Sequence, residues 1–298
     1  MLTLTWMFLI AVTFKSAMRP EDIGPDLFLM VNHSAAQALI SLIVLPIFVL
    51  QISRKYLHVA YELILLLLLG NGVLVLCFGF GIFNVASFDV AAVALAVPAL
   101  IHRSLRNKNQ YDVLAFIPLV AIALLVIFKG GSTSLLVFMT AACAYLISLD
   151  RNKLWILPVA LYAVIASTAQ AHYVWQSNGR AEAWSAYFIW WKKHCDFLNG
   201  CGLGSFEKLS HNIYPSQVLL WAHNDYLQVL FEAGSIGFVL IVVTTISMIW
   251  KARHYPLLFA ITSAFAVFAL TYSPMHFVVT QVFILCIYRF VLEKPSLL

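Results

Sequence analysis

Three short polar motifs in the second half of the sequence contain residue types that could bind an anion and move a proton. They are SNGR at 177–180, GCGLGSF at 200–206 and HNDY at 223–226. An imidazole, whose ordinary pKa is about 6.5, can take a proton from an attacking hydroxyl, so His223 is a candidate general base. Asn224 and Asp225 could orient it. Both are also natural N-cap residues for a following helix, which leaves a plain polar cap as the alternative.

The other two motifs could hold an anion. The planar guanidinium of Arg180 suits a diphosphate better than an ammonium does. Gly200, Gly202 and Gly204 stand at alternate positions, where the backbone can turn with exposed N–H groups that cradle a phosphate. The simpler interpretations are a solvated loop charge for Arg180 and an ordinary turn for the glycines.

The composition determines what kind of scaffold must position these motifs. Of the 298 residues 62% are hydrophobic and only 10% charged, and the mean hydropathy is +0.91. An ordinary soluble domain is about a quarter charged, so a soluble globular protein is excluded. A disordered chain would have low hydrophobicity, and a disulfide-dense secreted scaffold would have many more than the five Cys present, so both are excluded as well. The net charge of +5 is scattered between apolar runs, which does not indicate a nucleic-acid partner.

Apolar runs of about 20 residues predict transmembrane helices. The sequence therefore predicts an all-α, polytopic integral membrane helical bundle, a single membrane domain over 1–298 with about ten transmembrane helices. The predicted spans are 2–14, 34–51, 59–79, 84–101, 112–128, 133–149, 154–170, 224–250, 256–272 and 276–292. The first is short for a full span.

The distribution of positive charge predicts the orientation. With ten alternating spans, most of the 18 Lys and Arg residues fall on the side that holds both termini. The positive-inside rule makes that side cytoplasmic. The long loop at 171–222 then faces outward and is the only segment large enough for extramembrane structure.

Aromatic residues within this loop recur at i, i+3, i+4 and i+7, which predicts an amphipathic helix on the outer membrane interface. They are Trp184, Tyr187, Phe188 and Trp191, followed by Lys192 and Lys193. Cys195 and Cys201 could form a disulfide on an oxidising side of the membrane, although their spacing does not require one.

The span that follows the loop begins with an unusual polar face. Asp225, Gln228 and Glu232 lie at i, i+3 and i+7, and polar residues inside a span usually face a cavity or a partner. Gly234 and Gly237 favour close helix packing. The sequence contains no nucleotide-binding loop and no His or Cys spacing typical of a metal site, so no metal and no cofactor is predicted.

His223-Asn224, nine residues and then Gly234-Ser-Ile-Gly237 resemble the H-[NSQ]-x9-G-x-x-[GTY] signature of the O-antigen ligase superfamily. The Gly-Arg-x3-Trp stretch at Arg180 and the glycine-rich turn also resemble that family's last periplasmic loop. The resemblance covers about residues 110–250. It implies a multi-pass protein of the bacterial inner membrane that moves a glycan from undecaprenyl diphosphate to an acceptor hydroxyl, as O-antigen ligases and polymerases do.

By this resemblance His223 is the base, and Arg180 holds the diphosphate together with the glycine turn and Lys129. The family has an Arg before an earlier span, whereas this chain has KGGSTS at 129–134, in which Lys129 is the cation. The acceptor would be a lipid A core, a growing glycan or a protein. Two alternatives stay open: a transporter or flippase for a polar or lipid-linked substrate, and a non-catalytic membrane partner of a host polymerase.

Overall fold

The computed structural model describes residues 54–78, 86–106, 113–129, 131–149, 180–202, 205–206, 222–272, 284–286 and 289. These residues are 87% helical and contain no strand, which confirms the all-α part of the prediction for them. Eight helices have described bounds: α1 Arg54–Phe78, α2 Ala86–Ala94, α3 Val97–Arg106, α4 Val113–Lys129, α5 Ser132–Leu149, α6 Arg180–His194, α7 Asp225–Ala252 and α8 Pro256–Thr271. The predicted spans at 2–14, 34–51 and 154–170 lie outside the described residues.

Two helical segments within the described residues are long and apolar enough to cross a membrane: Tyr61–Phe78 in α1 and Asp225–Ala252, the whole of α7. Shorter apolar helices cover Asp89–His102, Ile117–Lys129, Thr133–Leu149 and Pro256–Thr271. Their positions agree with predicted spans, although the number ten stays a prediction.

The predicted span at 84–101 consists of two helices, because α2 ends at Ala94 and α3 begins at Val97. Pro98 explains the break, since its ring has no N–H and would clash with the carbonyl of Ala94 in a continuous helix. Between the two helices, backbone N–H groups bond to carbonyls three residues earlier in the chain. The N–H of Leu95 donates to the Ala92 oxygen at 3.2 Å, and that of Ala96 to the Val93 oxygen at 2.9 Å.

The described helices fall into two compact units. The first contains α6, α7 as far as Ser247, and the end of α8. The second contains α1 to α5, the end of α7 and most of α8. In the second unit α2 packs against α1, α4 and α5, and its residues 90–94, three of them alanines, are buried. Small side chains let helix backbones approach closely, which is how apolar helices gain contact in a membrane.

Candidate functional site

The polar residues of the first unit surround a break in α7. Gly234 has a φ of +68° and a ψ of −168°, which are not helical, so α7 consists of 225–233 and 235–252. The close helix packing expected of Gly234 is therefore wrong, because the loop at 196–202 fills the gap instead. Gly237 is buried further along α7, and its packing role stays a prediction.

The loop replaces the hydrogen bonds that α7 loses at the break. In a continuous helix the N–H groups of residues 235 and 236 would donate to the carbonyls of residues 231 and 232. The loop supplies two donors and two acceptors in their place: Cys201 N to Phe231 O at 3.0 Å, Gly202 N to Glu232 O at 2.9 Å, Ser235 N to Phe197 O at 3.0 Å, and Ile236 N to Leu198 O at 3.3 Å. Every backbone group freed by these two lost bonds thus has a partner.

Two glycines make this approach possible. A Cβ at Gly200 would lie 2.5 Å from the Glu232 carbonyl oxygen, and one at Gly234 would overlap the Leu198 carbonyl. Gly200 also has a φ of +72°, which an L side chain rarely adopts. The glycine-rich turn is therefore required by the close contact between two backbones.

This contact corrects the anion-binding role predicted for the turn. The N–H of Gly200 donates to the Asp196 carbonyl at 2.7 Å, and that of Gly202 donates to Glu232 as described above. These two amides are already engaged inside the protein, so the expectation that they are exposed for a phosphate is wrong. Gly204 lies outside the described residues.

The loop is closed on itself. Cys195 and Cys201 form a disulfide, with Cα atoms 4.9 Å apart, which confirms the pairing that the sequence left open. Within the ring the Asp196 carboxylate accepts hydrogen bonds from the N–H of Leu198 at 2.7 Å and of Asn199 at 3.3 Å. The disulfide also joins the end of α6 to the segment that bonds α7. The N–H of Cys195 donates to the Trp191 carbonyl of α6, and the N–H of Cys201 donates to the Phe231 carbonyl of α7.

The aromatic face of α6 packs against protein. Tyr187 and Trp191 are buried in a cluster with Phe206, Ala222 and Phe231, and Tyr187 stacks on Phe206 with ring centroids 4.3 Å apart. The prediction that this face lies on the membrane interface is therefore wrong. Periodicity correctly predicted the helix, but an apolar face can meet protein as well as lipid.

The polar face of α7 does meet a partner, as predicted, and for two of its residues that partner includes backbone. Glu232 Oε1 accepts hydrogen bonds from Phe206 N at 3.4 Å and from Gln228 Nε2 at 3.2 Å. Gln228 Oε1 accepts from Ala222 N at 3.2 Å. Asp225 is likewise buried. All three lie before the break.

Ala222, which precedes the candidate base, is held on both sides of its backbone. Gln228 accepts its N–H, and its carbonyl accepts the Trp184 indole N–H at 2.8 Å. This clamp fixes the chain where His223 adopts a φ of +52°, an uncommon value outside glycine. The His223 ring is half-buried and packs edge-on against Tyr272, with centroids 5.2 Å apart.

Asn224 caps α7. Its Oδ1 accepts the N–H of Leu227 at 3.0 Å, and its carbonyl accepts the N–H of Gln228 at 3.0 Å. The capping prediction is confirmed for Asn224, whereas Asp225 is the first helical residue. The His223 ring therefore lies beside the N-terminus of α7.

The two predicted cations lie in different units. Arg180 is the first residue of α6, four residues before Trp184, and its side chain lies outside the described residues. Lys129 ends α4 and is exposed in the second unit. The candidate site of the first unit thus contains His223, Asn224 and Asp225 together with the first turn of α6.

The sequence did not predict the clamp that Gln228 and Trp184 form on Ala222, nor the buried polar pair of Asp89 and Asn71 in the second unit. Gln228 was noted only as part of a polar face, and Trp184 only as an aromatic or motif residue. In the second unit Asp89 is completely buried, and Asn71 donates to its backbone carbonyl at 3.3 Å. Asp89 lies close to the start of the predicted span at 84–101, and an acid in so apolar a run is the signal from which it could have been found.

Comparisons with known proteins add no assignment. The sequence matches no family model, no curated protein and no solved structure. Among the described residues there is no group of three His, Cys, Asp or Glu that could hold a metal ion.

Proposed function

We propose that this chain is a membrane glycosyltransferase of the O-antigen ligase and polymerase type. It would transfer a glycan from undecaprenyl diphosphate to an acceptor hydroxyl on the periplasmic face of the bacterial inner membrane. No metal or cofactor enters the proposed reaction. Both termini would be cytoplasmic, and the acceptor would be a lipid A core, a growing glycan or a protein.

One observation carries the proposal: the hydrogen bond from the Trp184 indole to the Ala222 carbonyl. It joins the first turns of α6 to the residue directly before His223. Arg180 lies one helical turn before Trp184, about 6 Å along the axis, and residues four apart share a helix face. The first turn of α6 therefore lies on the same side of the unit as His223, which supports a shared site.

In the proposed reaction each of these residues has one role. His223 accepts the proton of the acceptor hydroxyl as its oxygen attacks the anomeric carbon of the donor sugar. A new carbon–oxygen bond forms while the bond from that carbon to the diphosphate oxygen breaks, and the diphosphate leaves with the electron pair. Arg180 stabilises the charge that develops on the leaving group. Asp225 or Asn224 orients the imidazole.

The disulfide supports the proposed orientation of the loop. Disulfides persist in oxidising compartments such as the periplasm and are rare in the cytosol. Cys195 and Cys201 belong to the segment that the charge distribution assigns to the outside. Two independent features therefore favour the same side for α6.

The deciding experiment expresses the full chain in cells that accumulate a defined lipid-linked glycan and identifies the molecule that becomes decorated. We expect His223→Gln to abolish transfer while membrane insertion is retained. His194→Ala is the matched control, since His194 is an exposed imidazole at the other end of α6 and should leave transfer unchanged. Undiminished transfer by His223→Gln would contradict the base assignment.

A second variant tests the donor site. Arg180→Ala should raise the donor KM and lower kcat, because both binding and leaving-group stabilisation are lost. Lys251→Ala, on the exposed last turn of α7, is its charge-matched control for the chemical step. Equal donor kinetics for Arg180→Ala and the unchanged chain would remove Arg180 from the site. Decoration of no molecule by the unchanged chain would favour a non-catalytic role.

Asp89 favours a transporter or flippase as the second candidate function. Its side chain is 0% exposed within an apolar unit, and acids inside spans often mark a substrate or proton path. Asp89→Asn should stop translocation if that function is correct, and should leave glycan transfer unaffected if the glycosyltransferase function is correct. Measuring both activities on this variant separates the two proposals.

A further inference from the structure

The tip of the disulfide-closed loop is apolar and exposed. Phe197 is 65% exposed and Leu198 51% exposed, although the loop backbone itself packs into the break of α7. Large apolar side chains at a loop tip are unfavourable in water. Phe197 contacts the Trp191 ring on one side, with ring centroids 5.6 Å apart, and its remaining surface, like that of Leu198, is open to an apolar partner.

The height of the tip along α7 indicates what this surrounding is. Its carbonyls accept the N–H groups of Ser235 and Ile236, so the tip lies level with the start of the second segment of α7. That segment, 235–252, has 18 residues and is about 27 Å long at 1.5 Å per residue. A hydrocarbon core is about 30 Å thick, so a segment that spans it places the break at the membrane surface.

The exposed residues of α7 support the same boundary. Its large exposed apolar side chains all follow the break: Ile236, Val239, Ile246 and Trp250. Before the break, α7 carries the buried Asp225, and it bonds to the protein through the buried Gln228 and Glu232. Phe197 and Leu198 therefore extend a lipid-facing stripe of α7 at its outer end.

Three backbone polar groups at the tip of the loop have partners within the protein, as entry into lipid requires. The carbonyls of both tip residues are bonded to α7, and the N–H of Leu198 is bonded to the Asp196 carboxylate. Directly before the disulfide, Lys192 and Lys193 are exposed on the last turn of α6. Two ammonium groups beside an apolar tip are complementary to the phosphates of lipid headgroups.

We infer that the loop at 195–201 is a membrane wedge. Phe197 and Leu198 insert between the lipids of the outer leaflet, and Lys192 and Lys193 bind the headgroup phosphates. The inference rests on the proposed function only in that α7 must span the membrane. The wedge would hold α6, and with it Arg180, at a constant height above the bilayer, where a lipid-linked diphosphate emerges.

Photocrosslinking tests the wedge on the full chain reconstituted in vesicles of phosphatidylethanolamine and phosphatidylglycerol. p-Benzoylphenylalanine replaces Phe197 in one variant, Val239 in a second and Glu182 in a third. Val239 is 55% exposed after the break, and Glu182 is exposed on the first turn of α6, away from the tip. We expect lipid adducts from positions 197 and 239 and at least tenfold less lipid adduct from position 182.

The outcomes separate this inference from the proposed function. Lipid adducts at 239 without adducts at 197 would overturn the wedge and leave the span intact. Crosslinks from 197 to a second copy of the chain would also overturn it, because that face would then be a protein interface. An absence of lipid adducts at 239 would overturn the span itself and the proposed function with it.

A charge variant tests the headgroup contact. Lys192→Gln with Lys193→Gln should lower the adduct yield at 197 severalfold in vesicles that contain phosphatidylglycerol. In vesicles of phosphatidylcholine alone, the variant and the unchanged chain should differ less, since no net-negative headgroup is present. An equal loss in both vesicles would contradict recognition of anionic lipid and would leave only the apolar contact.

Discussion

Two apolar helical runs in the described part of this protein are interrupted, and the chain replaces the lost hydrogen bonds of the two breaks in opposite ways. Between α2 and α3 the N–H groups of Leu95 and Ala96 bond to carbonyls three residues earlier. At Gly234 the lost bonds are replaced by a loop more than 30 residues away in sequence. A local repair only divides a helix, whereas a distant repair ties a second segment to the break. The second kind can position a functional group.

The two breaks differ in how many backbone polar groups would lose a hydrogen-bond partner if the loop moved away. The break in α7 contains four backbone groups that depend on the loop, and a buried polar group that loses its partner costs about 1–3 kcal/mol. The break at Leu95 depends on its own turn and on Pro98, which has no N–H to satisfy. Perturbation of the loop should therefore affect the Gly234 break and leave the Leu95 break unchanged.

The largest expected effect comes from Gly200→Ala. The added Cβ would lie 2.5 Å from the Glu232 carbonyl oxygen, and the backbone φ of +72° disfavours any L side chain. Together these should lower the free energy of unfolding by about 3 kcal/mol or more. Thermal unfolding in detergent measures the change, and hydrogen exchange should quicken at Ser235 and Ile236 but not at Leu95.

Gly70→Ala is the matched control for that substitution. A Cβ at Gly70, inside α1, meets no atom within 4 Å, and alanine is favoured over glycine in a helix by about 0.5–1 kcal/mol. This variant should be as stable as the unchanged chain or slightly more so. Equal destabilisation by the two variants would mean that contact between the loop and α7 is not what Gly200 provides.

Removal of the disulfide should have the next largest effect. Cys195→Ser with Cys201→Ser frees a short loop, which should lower the free energy of unfolding by about 2 kcal/mol through the entropy of the unfolded chain. Amide exchange at Ser235 and Ile236 should rise with it. Cys77→Ser, at a free exposed cysteine in α1, is the control, and unchanged exchange at the Gly234 break would show that the loop docks without its disulfide.

Hydropathy predicted the helices well because it depends on local composition. The predicted spans at 112–128, 133–149 and 256–272 lie within a residue of α4, α5 and α8, and the one at 224–250 lies within two residues of α7. The cap at Asn224 was also predictable, because its side chain bonds a backbone N–H only three residues later.

The contacts made by the glycines and by the aromatic face of α6 were not predictable from the sequence. Gly234 favours close helix packing in any apolar span, and nothing local shows that a loop will fill a gap there. Whether the amide of Gly202 binds an anion or a carbonyl depends on which backbone reaches it first, and that partner is Glu232, 30 residues later. The aromatic face of α6 could likewise be assigned to the protein interior only with the knowledge that Phe206 and Phe231 pack against it.

A smaller effect is expected from Trp184→Phe. The substitution keeps an aromatic ring but removes the N–H that bonds the Ala222 carbonyl at 2.8 Å, so stability should fall by about 1–2 kcal/mol. If the clamp positions His223, glycan transfer should fall further than stability explains, with kcat reduced more than the donor KM is raised. Trp190→Phe on the same helix is the control, and equal kinetics for the two variants would contradict a positioning role.

The smallest effect is expected from Asn224→Ala, and it sharpens the comparison at the level of helix starts. α3 begins after Ala96, whose carbonyl accepts Leu100 N without any side-chain cap, whereas α7 begins after a capping Asn. The first segment of α7 is only nine residues long before the break, so a lost cap is not compensated by a long continuous helix. Asn224→Ala should therefore cost about 1 kcal/mol, measured by unfolding in detergent. Asn224→Asp retains the acceptor oxygen and should recover most of this loss, and a variant as unstable as Asn224→Ala would show that the cap is not what residue 224 contributes.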